Sequence, residues 1–367
     1  MTFITADQMA RRFPGTKVIL LSHYEAMLPE SEKAKYKMTF IRFPRKMQRL
    51  MLRLGIRNEY TEIFRNAVAM LDISGYRLGS NWGVSSVKGY LQKIEMARHF
   101  GIPVYLMPQS FGPFDFHGFK SWGLMSRIRK TLSYADVIMA REEKSYRLLK
   151  DNFGLDNVVL TPDLVLQSKG INPENIFVNP PEMLEIDMPE GTVAIIPNSR
   201  NSEYGRLDEI MDLYSRIIAR LRAEGRAVCL LAHANEDLEL CRKIKQNAAP
   251  TDDKVILVEQ DLNCFELSKL VRKFDFIVAS RFHSIVHAYR EKVPALILGW
   301  ADKYRELSMN LNQGQFFYDV RDELNVDKIL QSLDYLIMHH KDESQKIAAK
   351  LEALQADCVY DCIKIKQ

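Results

Sequence analysis

The chain has 367 residues, of which 47% are hydrophobic and 27% charged, a balance that excludes disorder and leaves length for two domains. A formal net charge of +4, evenly spread, argues against a nucleic-acid surface and suits an anionic small molecule. The cysteines Cys229, Cys241, Cys264, Cys358 and Cys362 are odd in number and lack paired zinc-site spacing, and neither a signal peptide nor a long apolar span is visible, so the expected setting is a reducing cytoplasm.

A helix-like run from Met1 to Ala10 leads through Pro14-Gly15 to a strand at Lys17–Ser22. A doubly wound domain normally opens with a strand whose following turn faces the ligand, so this order predicts an upstream extension that supplies it. The next distinctive segment, Arg45 to Arg57, places five basic residues after Pro44 on an apolar stripe of Leu and Met. The expectation is a surface helix whose Leu and Met face the core; the alternative is a segment lying on an anionic membrane.

Apolar runs then recur at Met70–Ser74, Val104–Pro108, Val137–Ala140, Val158–Leu160, Val193–Pro197, Ala227–His233, Val255–Val258, Phe276–Ala279 and Ala295–Leu298, with helical patterns between them. Near-continuous Val/Ile/Leu strands alternating with helices indicate parallel sheets covered on both faces. The predicted fold class is α/β, with two Rossmann-like doubly wound domains facing a cleft. The stretch 168–190, with Pro173, Pro180, Pro181 and Pro189, has no clean period and reads as the linker between domains at 1–167 and 191–325; a C-terminal helical segment occupies 326–367.

Polar or glycine-bearing residues leave the carboxyl ends of these strands, where open α/β sheets bind ligands. They include Ser74-Gly75, Gln109-Ser110-Phe111-Gly112, Arg141-Glu142, Pro162-Asp163, Asn198-Ser199-Arg200 and His233-Ala234-Asn235. The most informative is Ser280-Arg281-Phe282-His283-Ser284, where a buried strand delivers an Arg and a His to the first turn of a helix. Helix N-termini favour anions, Arg281 offers a fork to a carboxylate or phosphate, and His283 can exchange a proton near neutral pH. Asn201, Tyr204 and Arg206 are further candidates for the cleft wall.

Four blocks resemble the polysaccharide pyruvyl transferase family. They are Ile73-Ser74-Gly75-Tyr76-Arg77-Leu78-Gly79 with Asn81-Trp82-Gly83 and Gln109 to Phe114; Ala135 to Glu143 running to Pro162-Asp163; Ser280 to Ser284 with Val293-Pro294-Ala295; and Gly299-Trp300-Ala301-Asp302-Lys303. In the last, Trp300 replaces the family's usual aromatic residue. The resemblance implies a GT-B-like fold with the acceptor side in 1–167 and the donor side in 191–325. It also implies transfer of an enolpyruvyl unit from phosphoenolpyruvate to a sugar, as a pyruvate ketal in exopolysaccharide or cell-surface glycan synthesis.

By that resemblance the catalytic set is His283, Arg281 and Arg141, with Phe282, Lys303, Ser110, Gly112, Gly75 and Asn198 contacting substrate. Phosphoenolpyruvate enters as co-substrate; no other cofactor and no metal is expected. The partner is a free or lipid-linked sugar acceptor, which leaves room for peripheral association with the inner membrane face. Two other readings stay open: a GT-B glycosyltransferase using a nucleotide sugar, and a carbohydrate-binding member without catalysis. Arg141-Glu142 can also be a structural ion pair, Asp163 a buried carboxylate that holds its loop, and Lys303 a helix cap or a phosphate contact.

Overall fold

A computed structural model of the chain describes residues 1–118, 121–201, 207–355 and 358–365. The chain divides into two compact units, Met1–Pro181 with Asp357–Gln367, and Glu182–Ala356.

The first unit carries a five-stranded all-parallel sheet. Strands β3 (Met70–Asp72), β5 (Val104–Phe111), β6 (Val137–Ala140) and β7 (Val158–Leu160) lie in that order, and β4 (Tyr76–Leu78) pairs with the far end of β5. The reason these residues form strands is visible in their burial: Val104, Leu106, Met107, Ile138 and Ala140 have no exposed surface, so apolar side chains on both faces are covered by helices. The helices Gly83–His99 and Leu124–Leu132 contribute Val87, Leu91, Ile94, Ile128 and Leu132 to this core. The early strand at Lys17–Ser22 forms as β1 (Ile19–Leu21), but it pairs with β2 (Thr39–Ile41) in a separate two-stranded sheet instead of entering the main one.

The second unit is a six-stranded parallel sheet in the order β10-β9-β8-β11-β12-β13. These are Val255–Val258, Val228–Leu231, Val193–Ile196, Ile277–Ala279, Ala295–Gly299 and Phe317–Asp319. Counted within the unit, that order is 3-2-1-4-5-6, the doubly wound dinucleotide-fold arrangement, so the chain reverses direction across the sheet between β8 and β11. The helix Leu207–Ala223 covers one face through Ile210, Leu213, Tyr214, Ile217 and Leu221, whose three- and four-residue spacing makes a single apolar stripe.

The proline-bearing stretch 168–190 is pinned at both ends. Asp7, fully buried in the helix Thr2–Arg12, accepts hydrogen bonds from Asn172 N and Asn175 Nδ2, and Tyr36 bridges to Phe177. Beyond the unit boundary, Leu184 N donates to Glu266 Oε1 and Lys273 Nζ donates to the Ile186 carbonyl. The helix Val326–Leu354 belongs to the second unit, where Arg226 Nη2 donates to the Ile337 carbonyl. The tail returns to the first unit, where Thr5 and Tyr360 share a hydroxyl hydrogen bond and Tyr105 Oη donates to the Lys364 carbonyl.

One expectation holds only in part. In the helix Lys46–Arg53 Leu52 is buried in the core, at 3% exposure, and Met51 is half-buried, while Met47, Leu50 and, just past the helix end, Leu54 are 67%, 50% and 66% exposed. Much of the Leu and Met stripe therefore faces solvent instead of the core.

Candidate functional site

In the second unit the ends of three neighbouring strands meet. After β8, the buried Asn198 turns inward; its Nδ2 donates to the Ser280 carbonyl at 3.1 Å and its Oδ1 accepts from Arg200 N. After β9, a short 3-10 turn, Asn235–Asp237, carries Asp237 into full burial, where Oδ1 accepts from Ser199 N at 2.9 Å. After β11 the chain passes through Ser280 and Arg281 into the helix Phe282–Arg290. Because β8 and β11 flank the reversal of strand order, this is the crevice position that open α/β sheets use for ligands.

Arg281 is the N-cap residue of that helix and gives it no side-chain cap; Ser284 Oγ instead donates back to the Arg281 carbonyl at 2.6 Å. The guanidinium reaches Asp237, with Nε donating to Oδ2 at 2.7 Å and Nη2 to Oδ1 at 2.6 Å, and Nη2 also meets Glu236 Oε1 at 2.5 Å. Burial alone would disfavour its charge, but the two carboxylates outweigh burial and raise its pKa above the ordinary value. Its Nε/Nη2 edge is thus occupied, and Nη1 makes no hydrogen bond among the described residues.

His283 lies half-buried on the same turn, edge-on to the Phe282 ring. One turn on, His287 packs with His233 at 6.2 Å between ring centroids. Burial, with smaller contributions from nearby positive groups, lowers His287 to about 3 and His233 to about 4, so both are neutral imidazoles at physiological pH. Lys303, in the first turn of the helix Asp302–Asn310, holds its ammonium 5.0 Å from the Phe282 ring, 5.4 Å from Trp300 and 5.7 Å from Tyr304. A cation over three rings is held by their electron-rich faces. The N-cap residue of that helix is Ala301. Tyr304 Oη donates to the Ser280 carbonyl at 3.1 Å, and the Tyr214 hydroxyl bonds Ser280 Oγ, so Ser280 is tied from three sides.

The first unit assembles a different cluster. Arg141, at the end of β6, is 5% exposed at its side chain, and its nitrogens are distributed among Glu142 Oε1 at 2.7 Å, Asp163 Oδ2 at 2.9 Å and Ser110 Oγ at 2.6 Å. Asp163 also accepts from Val165 N at 2.8 Å, which ties the loop after β7 to the same charge. Ser110 N donates to the Gly75 carbonyl, so Gly75, Ser110 and Arg141 lie at one end of the sheet. Gly79 and Gly112 approach so closely that a Cβ on Gly79 would strike the Gly112 carbonyl, and Gly112 itself has φ +83°.

Of the residues expected to act together, Arg281, Phe282, His283, Asn198 and Lys303 gather in the second unit, and Arg141, Ser110, Gly112 and Gly75 in the first. Asn201 Nδ2 donates to the Leu298 carbonyl at 3.3 Å, whereas Tyr204 and Arg206 lie outside the described residues. Sequence reasoning missed Asp237 and Glu236, the partners of Arg281. It also missed Asp72, whose Oδ2 accepts from Tyr90 Oη at 2.6 Å and from Gln109 Nε2 at 2.8 Å.

The sequence matches the family profile described as polysaccharide pyruvyl transferase over residues 2–302. No curated protein matches it. Among solved structures, a putative UDP-N-acetylglucosamine 2-epimerase from Listeria monocytogenes is similar at TM-score 0.55 and 12% identity, covering 95% of this chain and 86% of that one. The S. aureus MnaA–UDP complex is similar at TM-score 0.48 and 14% identity, covering 91% and 90%. The first likeness, with two parallel Rossmann-like sheets in one chain, makes the fold GT-B-like.

Proposed function

The chain belongs to the polysaccharide pyruvyl transferase family, and on that premise we propose that it moves the enolpyruvyl unit of phosphoenolpyruvate onto a sugar in cell-surface glycan assembly. The observation that carries this reading is the gathering of Arg281, His283, Asn198 and Lys303 at the strand-order reversal of the second unit. A donor with adjacent phosphate and carboxylate suits an uncapped helix N-terminus, the Nη1 of Arg281 and the Lys303 ammonium. Asp237 and Glu236 hold the guanidinium plane, so the cation is oriented before the donor arrives.

In this mechanism His283 gives a proton to the donor's methylene carbon, converting it to a methyl group and leaving an oxocarbenium-like centre at the neighbouring carbon. A sugar hydroxyl forms a C–O bond there and loses its proton to the neutral imidazole. A second hydroxyl of the sugar then forms the other C–O bond as the phosphate C–O bond breaks, and phosphate leaves with the electron pair and takes up that hydroxyl's proton. An imidazole can both give and accept a proton, so His283 can serve both transfers. Arg141, buried among Glu142, Asp163 and Ser110, positions the β5 and β6 ends in the first unit. The acceptor is a free or lipid-linked sugar, and a cytoplasmic setting accords with five cysteines that form no disulfide.

The test pairs binding with turnover. Phosphoenolpyruvate is expected to raise the melting temperature of wild-type protein and of His283→Ala alike, since a ligand that binds only the folded state stabilises it. Turnover, read as the mass of a pyruvate ketal on lipid-linked oligosaccharides, is expected to fall by about two to four powers of ten in the variant. Stabilisation by a nucleotide sugar and not by phosphoenolpyruvate would replace this reading with glycosyl transfer.

A further inference from the structure

The helix Lys46–Arg53 carries apolar residues on its solvent-facing side as well as on its core-facing side. Its buried residue, Leu52, sits on one side, and Met47, Leu50 and Leu54, at positions i, i+3 and i+7, form an apolar stripe on the opposite side, facing solvent. Ile56, just beyond, is also exposed. Around the stripe stand the exposed cations Arg45, Lys46, Arg53 and Arg57. Arg49 plays a different part: it donates to the Pro44 carbonyl and stacks on Phe43, holding the helix to its own entry segment.

The positive surface continues past the helix. Arg53 Nη2 and Arg127 both reach Glu95, at 3.8 and 2.7 Å, which links the helix end to the helices Gly83–His99 and Leu124–Leu132. On those two helices Arg98, Arg129 and Lys130, with Ser126, Ser133 and Tyr134, line an open cavity of about 450 Å³. Acidic neighbours include Glu95, engaged by Arg127 and Arg53, Glu59, which accepts from Gln48, and Asp136, which lies close to Tyr134 and accepts from Val104 N.

We infer that this face of the first unit docks on an anionic lipid bilayer. Charge complementarity selects that occupant: Met47, Leu50 and Leu54 enter the headgroup and acyl boundary, the surrounding cations meet lipid phosphates, and the cavity between Arg98, Arg129 and Lys130 has the charge and size for a phosphate headgroup. No helix among the described residues is long and apolar enough to cross a membrane, so the contact is peripheral. The inference rests on the surface alone and is independent of the reaction assigned above.

The experiment is sedimentation of the full chain with vesicles of phosphatidylglycerol mixed with phosphatidylcholine, and with vesicles of phosphatidylcholine alone. Wild-type protein is expected to bind the mixed vesicles, to bind neutral ones poorly, and to be released by salt. Met47→Ser/Leu50→Ser/Leu54→Ser is expected to lose about tenfold in partition or more. Lys46→Gln/Arg53→Gln/Arg57→Gln should lose about a hundredfold, from three cations each contributing near the surface. Both triple variants change exposed side chains, and unaltered circular dichroism and melting temperature would establish that they fold. Protein remaining in solution with anionic vesicles at low salt, or binding that neither variant weakens, would overturn the inference. So would sedimentation velocity showing a dimer that the serine variant dissolves, since a second copy would then be the occupant.

Discussion

Each unit places an arginine at the end of a central parallel strand, immediately before a helix, and the two arginines end in different surroundings. Arg141 is enclosed: Glu142 and Asp163, with side chains 7% and 1% exposed, surround it, and Ser110 takes the remaining nitrogen. Arg281 keeps its side chain 17% exposed, with one fully buried partner, Asp237, and a second, Glu236, that stands in solvent. The same strand-to-helix motif therefore yields a locked ion cluster in one sheet and an oriented, partly open cation in the other. The difference lies in the partners' burial, because an arginine can exchange a solvated carboxylate for an anionic ligand at small cost, the freed carboxylate returning to water, whereas a buried carboxylate has no such recourse.

The largest expected effect tests the locked side. Arg141→Ala leaves two buried carboxylates without their cation, and the first unit is expected to lose about 3–5 kcal/mol of stability, read by urea unfolding. Arg281→Ala, whose Glu236 partner is already solvated, is expected to cost clearly less. Equal losses would erase the contrast between the two clusters.

A pH series sharpens the comparison from the other unit. His233 and His287, held at about 4 and about 3 by burial, stay neutral in the folded chain, while the unfolded chain protonates both below about 6.5. The unfolded state then binds more protons, so stability is complete above pH 6.5 and falls as pH drops, down to about 4 for the His233 contribution and about 3 for that of His287. His287→Gln is expected to reduce that slope by about 1.4 kcal/mol per pH unit, measured by denaturant unfolding between pH 6.5 and 4.5. A slope identical to wild type would show that His287 is already protonated or solvated in the folded protein.

The smallest effect concerns the open side. Arg281→Lys keeps the charge but loses the planar fork that Asp237 orients, and phosphoenolpyruvate affinity is expected to weaken about tenfold by calorimetry. Arg141→Lys, enclosed and without an exposed edge, should alter stability more than affinity. The reverse pattern would place the donor in the first unit.

Much of this architecture was legible because parallel strands buried on both faces need unbroken apolar runs. The bounds of β6, β7 and β10 coincide with the expected runs Val137–Ala140, Val158–Leu160 and Val255–Val258. The strands not anticipated, Thr39–Ile41, Tyr76–Leu78 and Phe317–Asp319, are three residues long. Tyr76–Leu78 sits between Gly75 and Gly79 and reads as a turn until its register against Ser110 and Phe111 is known.

The sequence by itself determined the alternation of strands and helices and placed Asn198, Arg281 and His283 at strand ends, since these follow from local pattern and chain order. Only the tertiary structure decided what each charge meets. Asp237 lies 44 residues from Arg281 along the chain, and strand order, which no local periodicity encodes, sets β9 beside β8 and β8 beside β11 so that the two side chains touch. It likewise decided that Met47, Leu50 and Leu54 face water: an amphipathic stripe specifies that a helix has two faces, and the packing of Leu52 determines which one the core receives.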